Sequence, residues 1–254
     1  MNIQDSPGSQ APASPVPGRF FIPDGSRVPE ALQRTTHLGV GAHHDDLEFM
    51  AFHGIVEFFG KHDRWFAGVT CADGKGSSRG GAYASLTPEQ LAETRSEEQI
   101  QAAGIGGYGA MIQLDYPSSR ITNPSDPALR ADLFQILQAT SPEVVYTHNP
   151  ADKHSTHIGV FASLLEAIRS LPATARPRQL IGCEVWRDLD WMCDSEKVRM
   201  DATGHDSLAS RLNAVFASQI GGGKSYDLAV AGRRAANATF YEPREGDEST
   251  QVLV

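Results

Sequence analysis

Gly41-Ala42-His43-His44-Asp45-Asp46-Leu47-Glu48 decides how the chain is read. The residues before it, Thr35-Thr36-His37-Leu38-Gly39-Val40, form a short apolar run suited to a buried strand. The residues after it, Phe49 to Gly60, carry helical spacing closed by a glycine. Two histidines and three carboxylates therefore sit on a strand-to-helix turn. Such a concentration of charge is costly unless it binds something, and a metal ion is the obvious candidate.

Strand-like and helix-like stretches alternate along the rest of the chain. Strands are expected at 64–71, 110–116, 143–149 and 180–186, with a short one at 239–241. Phe20-Phe21-Ile22-Pro23 reads as a lead-in that covers part of the core. Thr87-Pro88-Glu89-Gln90 is a helix start, with threonine as N-cap, proline at the first helical position and glutamine three residues on. Further helices are expected after Asp126-Pro127, from 158 onward, and at about 207–219 and 226–237. Alternation of this kind implies an α/β fold with a mostly parallel sheet and helices on both faces. The loops at the C-terminal strand edges then share one crevice, which brings 42–48, 72–87, 117–126 and 149–157 together.

In that crevice His43 and Asp46 can reach one cation, and His154 or His157 can add a third ligand. Two histidines, a carboxylate and an open position suit catalytic zinc and also Fe(II). Asp45 is placed to take a proton from a metal-activated water. Alone, the Asp45-Asp46 pair would read as a helix N-cap and dipole partner, and His154-x-x-His157 as two surface imidazoles. Their convergence favours the metal. A dinucleotide site fits poorly, because Gly39, Gly41 and Gly54 do not make the glycine fingerprint and the turn is acidic.

Composition sets the outer bounds. The 254 residues suit one domain, expected over 19–242, between a mobile Pro/Ser/Gln/Gly-rich tail at 1–18 and an acidic, frayed tail at 243–254. Residues 1–18 lack the apolar segment of a signal peptide, and no apolar run is long enough for a membrane span. A net charge of −9 argues against nucleic acid as a partner. Three cysteines without zinc-finger spacing read as reduced thiols in a cytoplasmic protein.

With those residues in view, Ala42-His43-His44-Asp45-Asp46-Leu47-Glu48 resembles the His-Pro-Asp-Asp-x-Glu signature of the PIG-L/LmbE-like de-N-acetylases. His154-Ser155-Thr156-His157, preceded by Asp152, resembles the family's second signature, and Thr70, Gly74, Gly76, Arg95 and Glu98 follow its pattern between the two. The resemblance spans roughly residues 35–220 and implies a Rossmann-like three-layer sandwich. It implies His43, Asp46 and His157 as ligands of Zn2+, with Fe2+ as the alternative, Asp45 as general base and His154 as electrostatic or acid partner. It further implies Glu48 as a buttress of the site, with a simple first-turn acid as the alternative. His44 stands where the family has proline, and Ser155-Thr156 where it has Pro-Asp; Asp152 is the candidate to orient an imidazole instead.

The implied reaction is removal of an N-acetyl or other N-acyl group from a small amino sugar or glycoside, by a chain that could form a homo-oligomer. Arg79 and Arg120 are candidate substrate contacts on the pocket loops, with a solvated surface role as the alternative. Arg95 and Glu98 read as an ion pair near the site. Ser218 to Asp227, with Gly232-Arg233-Arg234, is a second unusual cluster that could bring Arg233 or Arg234 to a substrate or a neighbouring subunit, with a glycine linker before a basic helix as the alternative. The rival readings are a metal-dependent phosphoesterase and a non-catalytic carbohydrate- or metabolite-binding protein.

Overall fold

The computed structural model describes residues 16–254, apart from Val185, Arg187, Asp188 and Glu242. In chain order the elements begin with strand β1 (Arg19–Phe21), helix α1 (Val28–Gln33), β2 (His37–Gly41), α2 (Asp46–Met50), α3 (Phe52–Val56) and β3 (Phe66–Ala72). Next come α4 (Pro88–Gly106), β4 (Ala110–Tyr116), α5 (Ser118–Ile121), α6 (Ala128–Thr140), β5 (Val144–His148), α7 (Ser155–Ser170) and β6 (Gln179–Cys183). The chain closes with β7 (Met200–Asp201), α8 (Asp206–Val215), α9 (Ala217–Gly221), α10 (Tyr226–Ala238) and β8 (Val252–Leu253).

Six strands form one sheet in the order β1-β4-β3-β2-β5-β6, parallel except for β1 at the edge. From β2 the chain steps outward through β3 to β4, then returns to place β5 on the other side of β2. The C-terminal ends of β2 and β5 are therefore the topological switch point, where open α/β sheets bind their ligands. Alternating side chains divide the core. Leu38, Val40, Val69, Ile112 and Val145 pack with α1, α6 and α7 on one face. Leu47, Phe52, Phe66, Met111 and Tyr146 pack with α2, α3, α4, α8 and α10 on the other. This is the α/β sandwich with a mostly parallel sheet that the alternation implied.

Glycines let α2 sit close to the sheet. A Cβ on Gly39 would lie 2.9 Å from Leu47 Cδ2, and one on Gly68 would lie 2.7 Å from Leu47 Cδ1. Leu47 thus drops into a hollow over β2 and β3, which locks the turn before it to the strand ends. The Thr87–Gln90 capping box is formed reciprocally, with Thr87 N–H to Gln90 Oε1 at 2.9 Å and Gln90 N–H to Thr87 Oγ1 at 3.2 Å.

Expectations change at several places. The helical run after the motif breaks at Ala51 into α2 and α3, the one at about 207–219 breaks at Phe216 into α8 and α9, and the strand expected at 180–186 ends at Cys183. The lead-in at 20–23 contains a true edge strand, since β1 pairs antiparallel with β4. No strand forms at 239–241; Thr239 and Phe240 turn the chain, with Phe240 at a φ of 61°. The terminal segment is not frayed to its end. Val252 and Leu253 pair with β7 and are buried, because two apolar residues after an acidic stretch find a β partner that is remote in sequence. Of the expected N-terminal tail, residues 1–15 lie outside the described residues, whereas Val16 packs into the core. Among the described residues, no helix is long and apolar enough to cross a membrane.

His37 opens β2 at the end of the strand remote from the metal motif. Burial holds its pKa down at about 4, with its ring 4.2 Å from that of Phe58. A histidine that is neutral when folded and ordinary when unfolded contributes stability above pH 6.5, which is lost as pH falls toward 4. Between pH 7 and pH 5 this group should cost about 2 kcal/mol of folding free energy. Urea unfolding of His37→Leu and the parent at both pH values checks it: the variant should lose less stability on acidification by that amount.

Candidate metal centre

The turn after β2 is fixed before any side chain reaches the crevice. Ala42 donates its N–H to His148 Nε2 at 2.8 Å, and its carbonyl accepts from Ala72 N–H at 2.7 Å. Asp45 then adopts a φ of 99°, a left-handed backbone unusual for a residue other than glycine. Asp45 caps α2 and Asp46 opens it, so the two neighbouring carboxylates leave the turn with different partners. Support for the strained residue comes from α4: Gln99 Oε1 accepts from Asp45 N–H at 3.1 Å, and Arg95 donates to Asp45 Oδ2 at 3.1 Å and to the His44 carbonyl.

Asp46, His43 and His157 converge. His43 Nδ1 lies 3.1 Å from His157 Nε2 and 3.5 Å from Asp46 Oδ2, and His157 Nε2 lies 3.6 Å from Asp46 Oδ1. Four-coordinate zinc, with bonds of about 2.0–2.2 Å, has ligand-to-ligand edges of roughly 3.3–3.5 Å. Asp46 approaches the two imidazoles through different oxygens, and the spacings lie near these edges, so the set could hold one small divalent cation. Asp152 Oδ2 takes the other ring nitrogen of His157, Nδ1, at 2.7 Å, which turns Nε2 toward the centre. The same carboxylate accepts His154 N–H through Oδ1 at 2.8 Å and so fixes the loop as well as the ring.

Two more imidazoles flank the triad. His148 is fully buried and stacks on His157 with centroids 3.9 Å apart; its Nε2 approaches Asp46 Oδ2 at 3.3 Å. Because that nitrogen already accepts the Ala42 N–H, His148 steadies the site instead of offering a free lone pair. His154 is exposed, stacks on His157 at 4.7 Å, and uses Nδ1 to accept Thr156 N–H at 3.2 Å. Its Nε2 remains available at the pocket edge.

The electrostatics separate the two aspartates. Burial raises the Asp45 pKa well above the ordinary range, against the opposing pull of Arg95. Burial acts the same way on Asp46, but His157, His148 and His43 outweigh it and hold that carboxyl well below the usual range. Adjacent carboxylates thus differ in proton affinity, one suited to bind a cation and the other to accept a proton. Burial would lower the His157 pKa, but Asp46 and Asp152 overcome it and raise the value.

Glu48 does not join this donor set. Its Oε1 accepts from Tyr108 OH at 2.6 Å and Gln99 Nε2 at 2.8 Å, so it anchors the Gln99 side chain that holds Asp45 N–H. Burial raises its pKa to about 7, against those two hydrogen bonds. His44 is buried beneath Gly74, with Nε2 3.4 Å from Gln113 Oε1, and burial followed by the Arg95 charge lowers its pKa to about 3.

A cavity of about 560 Å³ opens over the centre, lined by His43, Asp45, Asp46, His154 and His157 together with Ser77, Ser118, Trp186, Gln219, Lys224 and Tyr226. Arg79 and Arg120 are not among its walls. Arg79 donates to the Leu86 carbonyl at 2.9 Å, and Arg120 pairs with Asp126 at 2.7 Å, both on the exposed surface. Arg95 pairs with Asp45 instead of Glu98, whose carboxylate binds Ser218. Arg234 lies buried under α2, donating to the Glu48 and Phe49 carbonyls at 2.6 and 3.3 Å; Arg233 reaches Asp190 at 3.4 Å. Sequence reading passed over His148, Gln99, Tyr108 and Trp186, and singled out the segment 218–227 for its glycines and the arginines beyond it instead of for Gln219, Lys224 and Tyr226, which line the cavity. The position of His148 at the C-terminal end of a parallel strand was the one signal that could have found it.

Known proteins bear on this geometry at two levels. The chain is similar in fold to a conserved protein, TT1542, from Thermus thermophilus, with a TM-score of 0.64 and 18% identity over 86% of this chain and 93% of that one. It is likewise similar to GalB, a 4-carboxy-2-hydroxymuconate hydratase from Pseudomonas putida, with a TM-score of 0.65 and 18% identity over 87% and 94% of the two chains. A third relative, the N,N'-diacetylchitobiose deacetylase from Pyrococcus horikoshii, gives a TM-score of 0.62 and 19% identity over 87% and 84%. No curated protein sequence matches the chain. At these identities the structural likenesses speak for the fold alone. The model of the PIG-L family, described as GlcNAc-PI de-N-acetylase, matches residues 38–168, just over half of the chain and the stretch that contains both histidine motifs, and the chain belongs to that family.

Proposed function

We propose that the chain is a metal-dependent hydrolase that removes an N-acetyl group from a small amino sugar or glycoside. The observation that carries the reading is the convergence of His43, Asp46 and His157 beside Asp45, whose carboxyl has a raised pKa, at the floor of a cavity large enough for a sugar. Family membership supports the reaction class. Fold likeness alone would not, since the fold's relatives include a hydratase as well as a deacetylase.

His43, Asp46 and His157 would hold the cation, Zn2+ or Fe2+. When bound, such an ion lowers the pKa of a coordinated water toward about 7 and polarises an acyl carbonyl. Asp45 takes a proton from the attacking water, and Arg95 holds that carboxylate in line. The water oxygen bonds to the acyl carbon. His154 Nε2, at the pocket edge, faces the oxygen on which negative charge develops. Asp45 then returns the proton to the departing nitrogen, the C–N bond breaks, and acetate and amine leave. Asp152 keeps His157 oriented throughout.

A phosphoesterase would call for two metals. Among the described residues the groups of side chains spaced to hold an ion are His43, His154 and His157, and Asp46, His148 and His157; they share His157, so they make one centre. A simple binding protein needs no proton acceptor at position 45. Amine release from N-acetylglucosamine, its simple glycosides and N,N'-diacetylchitobiose, measured after chelation and reloading with Zn2+ or Fe2+, tests the reading. Metal-dependent release is expected. Tight metal binding with no release from any of these compounds would count against it.

A further inference from the structure

Several residues around the cavity take no part in the steps above, and they are held in place with care. Two glycine-rich segments, 74–81 and 221–223, meet at its rim. Ser78 Oγ donates to the Gly222 carbonyl at 3.3 Å, and a Cβ added to Gly81 would sit 2.8 Å from the Gly221 carbonyl oxygen. Backbones approach this closely only where side chains are absent. From below, the buried Glu98 carboxylate accepts both Ser218 N–H and Ser218 Oγ–H at 2.7 Å. That fixes the start of α9 and the residue after it, Gln219. Gln219 is 4% exposed, lines the cavity, and has an amide nitrogen without a partner among the described residues. Beside it the rings of Trp186 and Tyr226 lie 4.6 Å apart, with Phe49 packed edge-on against both. Lys224 completes the rim; it is exposed and pairs with no carboxylate among the described residues.

We infer that Gln219, Trp186, Tyr226 and Lys224 form the subsite for the amine portion of the substrate, a pyranose that carries an anionic substituent, phosphate or carboxylate. The inference rests on the de-N-acylation reading of the same cavity. Aromatic faces take the apolar C–H face of a sugar, while a few fixed polar groups set its orientation. An unpaired buried donor is costly, and a ring oxygen or hydroxyl at the cavity wall satisfies the Gln219 amide. The cation argument is one of elimination. Arg95 is committed to Asp45, Ser77 and the His44 carbonyl, which leaves Lys224 as the uncommitted cation of the lining. In a chain of net charge −9, an anionic substituent would find few other favourable positions near Asp45 and Asp46.

The test is calorimetric binding to the metal-stripped full chain, so that phosphate cannot bind through a cation. The probes are N-acetylglucosamine, its 1-phosphate and 6-phosphate, and N-acetylmuramic acid, whose charge is a carboxylate. At least one anionic probe should bind about fivefold more tightly than the neutral sugar, and which one does so distinguishes phosphate from carboxylate and locates it on the ring. Lys224→Ala should abolish the preference and Lys224→Arg restore it, while Lys61→Ala, a surface control, leaves it in place. Gln219→Ala should weaken all four probes about tenfold. Equal binding of neutral and anionic probes, or a preference that survives Lys224→Ala, overturns the inference. The parallel hydrolysis assay on the metal-loaded chain separates the two readings. A Lys224-dependent preference without amine release keeps the subsite and removes the deacetylase, whereas release without preference does the reverse.

Discussion

Asp45→Asn should lower kcat for amine release by about 10²- to 10⁴-fold, the range expected for loss of a positioned general base. Asparagine has nearly the same shape and keeps an oxygen for the Arg95 guanidinium, while its backbone N–H still reaches Gln99 Oε1. Metal content, read by atomic emission, should therefore remain that of the parent, because Asp45 is not one of the three converging donors. A variant that keeps its metal, binds substrate and turns over as fast as the parent would remove Asp45 from the proton-transfer step. If metal and activity disappear together, Asp45 must instead be assigned to the cation.

Asp46→Asn should have the opposite signature. Its carboxylate lies within 3.3–3.6 Å of three imidazoles and is the one anionic donor of the triad, so losing its charge removes much of the attraction for a divalent ion. Metal affinity should fall by more than the roughly 10- to 100-fold typical of an outer partner such as Asp152, and activity should fall with it. Competition against a zinc-sensitive dye measures both variants. Asp152→Asn binding metal more weakly than Asp46→Asn would invert the assignment and make Asp152 the ligand. Reloading with excess metal should rescue Asp152→Asn far better than Asp46→Asn.

What could be read from the sequence was local or periodic. The capping box at Thr87–Gln90 needs four consecutive residues and formed as expected. The strand-to-helix turn at 41–48 and the helix start at 154–157 were recognisable for the same reason, and the parallel alternation put them on one edge of the sheet. Features that depend on remote partners were hidden. His148 gains its place only when β5 lies beside β2 and the Ala42 N–H points at it. The spacing of Arg95 and Glu98 suggested that they pair with each other, yet stronger partners lay elsewhere: Asp45 for one and Ser218 for the other. Val252 and Leu253 find β7 across a long interval, and nothing in the acidic segment ahead of them announces it. Gln219 and Tyr226 belonged to a segment noticed for its glycines and arginines. The tertiary fold turned the arginines away from the cavity and brought those two toward it.

The glycine seam between 80–81 and 221–222 also bears on how such a chain could acquire a different substrate in evolution. The two loops it joins are far apart in the gene, yet a Cβ at Gly80, Gly81 or Gly222 would press on the backbone of the facing loop, and one at Gly221 would press on the Tyr83 ring. Innovation is therefore steered to positions that flank the seam, such as Ser77 on one lip and Gln219 or Lys224 on the other, where a point change alters the cavity and spares the scaffold. Exchange of one whole loop by recombination would break a fitted pair. Gradual substitution beside the seam is the open route, and the two lips would inherit their changes together.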